Sequence, residues 1–321
     1  MAKLMTFLLA VFGGAIYYAY SPMTPPVLPY EFALNQGGNL TTVARQFEQA
    51  GLLDNPKLFV LFARLQGRAG KIKAGVYQLD HAVSKMELLG MITQGNVSRS
   101  QVTLIEGWNF RQLRSALDAN QYIRHDTQGL SDREILQRIG AAEIHPEGLF
   151  FPETYFVAAG SSDIELLKMA YKLMQQRLND AWLAREPGLM LETPYQALIL
   201  ASIVEKETGT ASDRPMIAGV FTNRLRLHMM LQTDPSVIYG LGEAFDGNLR
   251  KRDLTSDTPY NTYTRAGLPP TPIALPGAEA LKAALHPAKT DALYFVARGD
   301  GSSKFSSNLS EHNRAVYQYQ K

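Results

Sequence analysis

The stretch 195–210 reads YQALILASIVEKETGT. It opens on Ala197, Leu198, Ile199, Leu200, Ala201, Ile203 and Val204, then closes on two acids, Glu205 and Glu207. With a helix turning about 100° per residue, Leu198, Ala201 and Glu205 fall on one side and Leu200, Ile203 and Glu207 on the opposite one. A helix that is apolar nearly all round belongs inside a folded unit. Pro194 suits a first helical turn and Thr193 can cap it, so the spacing predicts a buried helix from about 194 to 207. A carboxyl group carried into apolar surroundings is costly to ionise, so it can hold a proton near neutrality as a general acid must. The pattern does not choose between Glu205 and Glu207, although Glu207, nearer the end before Gly209, is better placed to reach water or a cation. It also leaves open that both are solvated end-of-helix acids or ion-pair partners of Arg214 or Arg224.

Outward from this helix, the spacing predicts a long helix over about 163–185 before it and another over about 212–227 after it, the latter with Ile217, Val220, Phe221 and Leu225 on one side. Residues 228–276 are dense in turn formers and read as loops; Asp234-Pro235 starts a turn or caps a helix over SVIYGL. A helix at 276–285, a hairpin over ALYFVARGDGSSKFSSN and a last helix follow, with RGD at 298–300 read as the hairpin turn and not as an adhesion motif. Toward the N-terminus, Leu40, Val43, Ala44 and Phe47 repeat at helical spacing, and Pro56 opens a second helix containing Phe59 to Leu65. KAGVYQL (73–79) reads as a strand, and Ser84 caps a helix that Gly95 closes. QVTLIEG (101–107) reads as a strand before helices at 109–120 and 132–140. The Pro-broken EGLFFPETYFV (147–157) reads as strand or loop.

The chain has 321 residues, 45% of them hydrophobic and 19% charged, enough for two globular units. A net charge of +2 with no Lys/Arg block leaves no footprint for gripping nucleic acid. The absence of cysteine excludes disulfides, thiol nucleophiles and Cys-ligated zinc. No HExxH or other metal-ligand spacing occurs, so neither a metal nor any cofactor is expected. LMTFLLAVFGGAIYYAY (Leu4 to Tyr20) is uncharged, with tyrosines at its far end, and the next cation after Lys3 is Arg45. That pattern predicts a single-pass anchor over 1–20 with its N-terminus in the cytoplasm, followed by a Pro-stiffened linker over 21–36. A cleaved signal peptide is the rival reading, but no small-x-small cleavage site follows the apolar run.

The strings ASIVEKET, RPMIAGVFTNRL, LQTDPSVIYG, YNTY, GLPPTPIALPG, LKAALHPA and LYFVA, followed by F-x-x-N-L-x-x-H-N, occur here in one order. In these the chain resembles the YceG-like (MltG) family of endolytic murein transglycosylases, from the anchor to the last helix. The resemblance implies an α+β fold with an N-terminal transmembrane helix, a small LysM-like subdomain at 37–97, a connecting segment at 98–146 and a larger mixed α+β catalytic domain at 147–321. It implies an inner-membrane enzyme with its catalytic domain in the periplasm, acting on nascent peptidoglycan strands beside peptidoglycan synthases. Its catalytic acid falls on the first glutamate of V-E-K-E, Glu205. The implied reaction breaks the MurNAc–GlcNAc bond without water, the sugar's own C6 hydroxyl closing a 1,6-anhydro ring, so that one carboxyl group serves first as acid and then as base.

The remaining candidates suit a saccharide groove by residue type. Gln232, Thr233 and Asp234 offer hydrogen bonds, Tyr239, Tyr260 and Tyr263 offer faces for sugar rings, and Asn261 and Thr262 add donors and acceptors. Asn308 and His312 belong to the terminal motif, and Glu147 is a further acid that could line the cleft. Two other functions are compatible with these residues: a hydrolytic muramidase in which Asp234 or Glu147 activates water, and a non-catalytic wall-binding scaffold.

Overall fold

The computed structural model describes residues 2–34, 39–95, 99–158 and 160–320. In chain order the elements are α1 (Ala2–Tyr20), β1 (Pro22–Met23), β2 (Tyr30–Leu34), α2 (Leu40–Gln49), α3 (Pro56–Leu65), β3 (Gly75–Leu79), β4 (Val83–Ser84), α4 (Lys85–Gln94), β5 (Arg99–Thr103), α5 (Phe110–Asp118), α6 (Asp132–Ile139) and β6 (Thr154–Ala158). There follow α7 (Asp163–Leu183), α8 (Pro194–Glu207), α9 (Arg214–Arg226), α10 (Asp234–Leu241), α11 (Lys251–Thr255), α12 (Ala278–Leu285), β7 (Tyr294–Ala297), β8 (Ser303–Ser306) and α13 (Leu309–Tyr319). The fold is mixed α+β: its described strands form two-stranded sheets, β1 with β4, β2 with β3, β5 with β6 and β7 with β8. The chain divides into two compact units, one of residues 1–101, 121–124 and 156–162, the other of 102–120, 125–155 and 163–321.

In the first unit β2 and β3 run antiparallel, with Phe32 opposite Tyr77 and Tyr30 opposite Leu79. Alternation turns Phe32, Leu34, Tyr77 and Leu79 inward. Phe32 stacks on Tyr77 at 5.4 Å and meets Phe47 of α2 edge-on at 4.8 Å, while Phe47 meets Phe59 of α3 at 6.4 Å. Side chains start both helices, Asn39 accepting from the Thr42 amide and Asn55 from the Leu58 amide, and Ser84 with Glu87 forms a capping box on α4.

Two expectations change here. The segment expected to be a spacer over 21–36 supplies β1 and β2, because Phe32 and Leu34 find an apolar face to cover. The boundaries at 36/37 and 97/98 lie outside the described residues. The expected anchor forms the 19-residue helix α1, on which Phe7, Leu9, Val11, Phe12 and Ile16 are exposed. Among the described residues, no helix is long and apolar enough to cross a membrane.

The second unit is built around α8. Its residues from Ala197 to Val204 are buried, and α7, α9, α10 and α12 pack against it. Leu198, Leu200, Ile203 and Val204 are wholly buried; burying each contributes on the order of 2 kcal/mol. Thr193 accepts from the Gln196 amide and Pro194 opens the helix, as expected from its sequence. Ser202, on this apolar helix, donates to the Ile199 carbonyl and accepts from the Ile273 amide, fixing the 271–277 segment to α8. α9 is held to the C-terminal part through its polar side chains. Asn223 donates to the carbonyls of Thr290 and Ala292, and Arg224 to those of Leu293, Met230 and Leu231. Gly219 permits this approach, since an added Cβ would stand 2.6 Å from the Ala288 carbonyl oxygen.

The segment 228–276 is less loop-like than its composition suggests. Asp234-Pro235 does begin a helix, α10, and α11 follows. The RGD tripeptide sits in the β7–β8 turn: Arg298 donates to the Ser302 carbonyl, Asp300 accepts from the Ser302 amide and hydroxyl, and Gly299 and Gly301 take positive φ.

Candidate active site

α8 stops at Thr208, whose backbone is extended, and this end presents the two acids. The Glu205 side chain is only 7% exposed. One carboxylate oxygen accepts from the Gly277 amide at 2.9 Å, and the other lies 3.6 Å from the guanidinium of Arg214, the first residue of α9. Burial pushes the Glu205 carboxyl above its ordinary range. The Gly277 amide opposes this, the Glu106 carboxylate adds to it, and Arg214 and Lys206 moderate it.

Glu207, on the opposite side of α8, is tied in differently. Its carboxylate accepts from the Thr233 hydroxyl at 2.5 Å. Burial lifts it to about 7, with Asp234 raising it further and the Thr233 hydroxyl and Arg224 holding it down. Thr233 is itself buried, and its amide donates to the Thr262 hydroxyl, which also meets the Ser236 hydroxyl at 2.9 Å. Burial raises both acids, and they differ in their partners: Thr233 is already donating to Glu207. Glu207→Gln keeps an oxygen to accept that bond, so we expect cleavage to stay within about tenfold of the parent in a turnover assay. A loss as deep as that of Glu205→Gln would move the acid to position 207.

A cleft of about 920 Å3 opens in this unit beside Lys206. Its wall includes Asn109, Arg111, His145, Glu147, Pro235, Ile238, Tyr239 and Tyr260; Glu205 and Glu207 are not on it. Glu147 is 3% exposed and receives the Phe110 amide, at the start of α5, on both oxygens at 3.0 and 3.1 Å. Burial raises its carboxyl to about 7 against the lowering effect of that amide, the Tyr239 hydroxyl and the Gly148 amide. Tyr239 packs edge-on against Tyr260 at 4.8 Å, and the Tyr260 and Thr271 hydroxyls are 2.9 Å apart. Glu147, Tyr239 and Tyr260 are thus brought together as expected for a lined cleft, apart from the α8 acids.

The other expected groove residues fall into two groups. Asp234 and Tyr263 are joined by a 2.5 Å hydrogen bond from the phenol to the exposed carboxylate, and Gln232 is exposed at φ 53 with its side-chain oxygen accepting from Arg224. Asn261 and Thr262, by contrast, are 1% and 2% exposed. The Asn261 amide donates to the carbonyls of Asp253, Leu254 and Ser256 and its oxygen accepts from the Tyr263 amide, so this side chain closes the end of α11 and has nothing left for a sugar. Thr262 is likewise spent on Thr233 and Ser236. Asn308 caps α13 by accepting from the Glu311 amide. His312 stacks on Tyr294, over whose ring Arg224 also sits; burial lowers its pKa, and Arg224 lowers it further.

Glu106, Arg214 and Gly277 gather at Glu205, and of these the sequence offers only Arg214 as a partner. Glu106 ends a strand-like run and Gly277 ends the string GLPPTPIALPG, but nothing in the spacing of either pairs it with Glu205; only the fold puts them beside α8.

The comparisons with known proteins agree with the strings read from the sequence. Residues 32–318 match the YceG-like family model, and the chain belongs to that family. It is 31% identical to a Bacillus subtilis protein named endolytic murein transglycosylase, over 96% of this chain and 91% of that one. A Streptococcus pneumoniae protein of the same name is 26% identical over 97% of this chain, which spans only 63% of that longer protein. Among solved structures, the 2.6 Å crystal structure of a yceG-like protein from Listeria monocytogenes is similar at a TM-score of 0.56 and 28% identity, covering 89% of this chain and 98% of that one.

Proposed function

We propose that the protein is a lytic transglycosylase that cuts peptidoglycan glycan strands internally, at the MurNAc–GlcNAc bond, leaving 1,6-anhydroMurNAc ends, with Glu205 as general acid and then base. The observation that carries this is the placement of Glu205: an acid at the end of an apolar helix, 7% exposed, held by the Gly277 amide and lifted by burial. Such a group can enter the reaction protonated, give its proton to the leaving glycosidic oxygen, and recover one from the C6 hydroxyl that closes the anhydro ring. The names of the bacillary and streptococcal relatives support the same activity.

Within this reading, the first compact unit, in which β2 pairs with β3, contains the LysM-like subdomain, and the second, which takes in 102–120 and 125–155, is the catalytic domain. The N-terminal segment with its exposed apolar side chains holds the chain at the inner membrane, the catalytic part facing the periplasm near the synthases that make its substrate. Glu147 and Tyr239 in the cleft, and Gln232, Asp234 and Tyr263 near Glu207, are the side chains left to meet a glycan. Digesting purified sacculi with the protein and weighing the fragments tests the reaction. Anhydro ends, lighter by one water than reducing ends, are expected; reducing ends would establish a hydrolase, and uncut sacculi a binding protein.

A further inference from the structure

Glu106 lies in the loop between β5 and α5 and is exposed, yet it comes against the backbone of Gly277. An added Cβ at position 277 would overlap its carboxyl group. Glu205 holds the amide of the same glycine at 2.9 Å. Two carboxylates therefore converge on one residue, one from a loop and one from the end of α8. Gly277 has φ −80 and ψ 178, a conformation open to any residue, so the contact with Glu106 is what a side chain there would violate. Unlike the other acids of this region, Glu106 has no hydrogen-bond or ion-pair partner among the described residues. Glu147, Glu207 and Asp234 all receive donors. The Lys206 ammonium donates to the carbonyl of Gly107, the residue after Glu106, at 3.2 Å and forms no ion pair with Glu106.

We propose that Glu106 is a positioning residue for the reaction at Glu205: converging with it on Gly277, its negative charge works against loss of the Glu205 proton, and a glycine at 277 is what lets it come that close. This rests on the assignment of Glu205 as the acid made above. The balance around Glu205 is legible in its neighbours. Arg214 approaches to 3.6 Å and Lys206 is next in the chain, both favouring the ionised carboxylate, whereas Glu106 and burial oppose it. On the other elements packed against α8, Glu279 and Lys282 of α12 are exposed, Asp234 of α10 acts on Glu207, and no charged group of α7 shifts Glu205. Glu106 is thus the one side chain near Glu205 that works with burial. A like charge disfavours ionisation of its neighbour, and its removal makes the proton easier to lose.

The test is the pH dependence of cleavage in the full-length protein and its Glu106→Gln, Glu106→Asp, Gly277→Ala and Glu205→Gln variants, with the Glu205 carboxyl followed in parallel by 13C NMR. In Glu106→Gln the alkaline limb, where the acid loses its proton, is expected to move to lower pH, with the acid-side plateau kept within about twofold. The Glu205 resonance should titrate at lower pH in step. Glu106→Asp, which keeps the charge on a shorter stem, should restore the limb toward the parent. Gly277→Ala, whose new methyl group displaces a flexible carboxyl, should reproduce the shift of Glu106→Gln with the fold intact. An unmoved limb and unmoved titration in Glu106→Gln, with Glu205→Gln inactive, would overturn this inference alone. So would an equal loss in kcat at every pH, which would make Glu106 a group that touches substrate. A Glu205→Gln enzyme that still cleaves would instead remove the assignment on which it rests.

Discussion

Glu205→Gln is expected to lower glycan cleavage by about a thousandfold or more while leaving a folded protein. The amide has the size of the carboxyl group and keeps an oxygen for the Gly277 amide, so the end of α8 stays in place. What it cannot do is surrender a proton to the glycosidic oxygen. Arg214, 3.6 Å away, faces a neutral amide in the variant as it faces a neutral carboxyl in the protonated parent, so the unfolding curve should stay close to the parent's at a pH where the acid holds its proton. Turnover of purified sacculi read beside a urea unfolding curve separates the two effects. A variant that loses activity by unfolding would show it in the curve, and one that keeps activity would end the case for position 205.

The second large effect concerns stability. Glu147 carries a carboxyl group that burial lifts from 4.5 to about 7 in the folded protein. Between those values the native state holds a proton that the unfolded chain has released, so stability is greatest below the unfolded pKa and falls as pH rises through the folded one. The elevation corresponds to a loss of about 3 kcal/mol across the window. Glu147→Gln, neutral throughout, removes this dependence. Relative to the parent it should gain stability at about pH 8 and match it or fall slightly behind at about pH 5, where the parent carboxyl is protonated. Urea midpoints at both pH values check it. Glu207 has the same sign, so a slope remains in the variant; an unchanged slope would mean that the Phe110 and Tyr239 donors fully offset the burial of Glu147.

The helices were legible where a periodic apolar face coincided with a cap. Thr193 with Pro194, Pro56, and Ser84 mark starts that the structure keeps. Of the first unit's strands, β3 was legible in KAGVYQL, but β1 and β2 were not, because SPMTPPVLPY looks like a spacer until Phe32 and Leu34 are given the aromatic face of β3 and α2 to cover. At the site, the helical wheel brought two acids to one helix end and could not rank them, since both sides of α8 are apolar; the partners that distinguish them, Thr233 for one and Gly277 with Arg214 for the other, come from distant segments. Asn261 illustrates the opposite error. An amide in a Tyr-rich loop suggests a ligand donor, whereas the structure spends every polar atom of it on backbone. Residue type announces hydrogen-bonding capacity, and only the fold says where that capacity goes.

The hold of α9 on the C-terminal stretch bears on how much of the chain is indispensable. Asn223 and Arg224 sit in a buried seam, and three of the carbonyls they satisfy belong to Thr290, Ala292 and Leu293. A polypeptide ended by a stop codon after Leu285 would strip Asn223 of both its carbonyl acceptors and Arg224 of one of its own, Leu293. The stretch 290–293 that leads into the final hairpin is therefore a keystone of the domain that carries Glu205, and a stop codon placed before it should be as disabling as an early one.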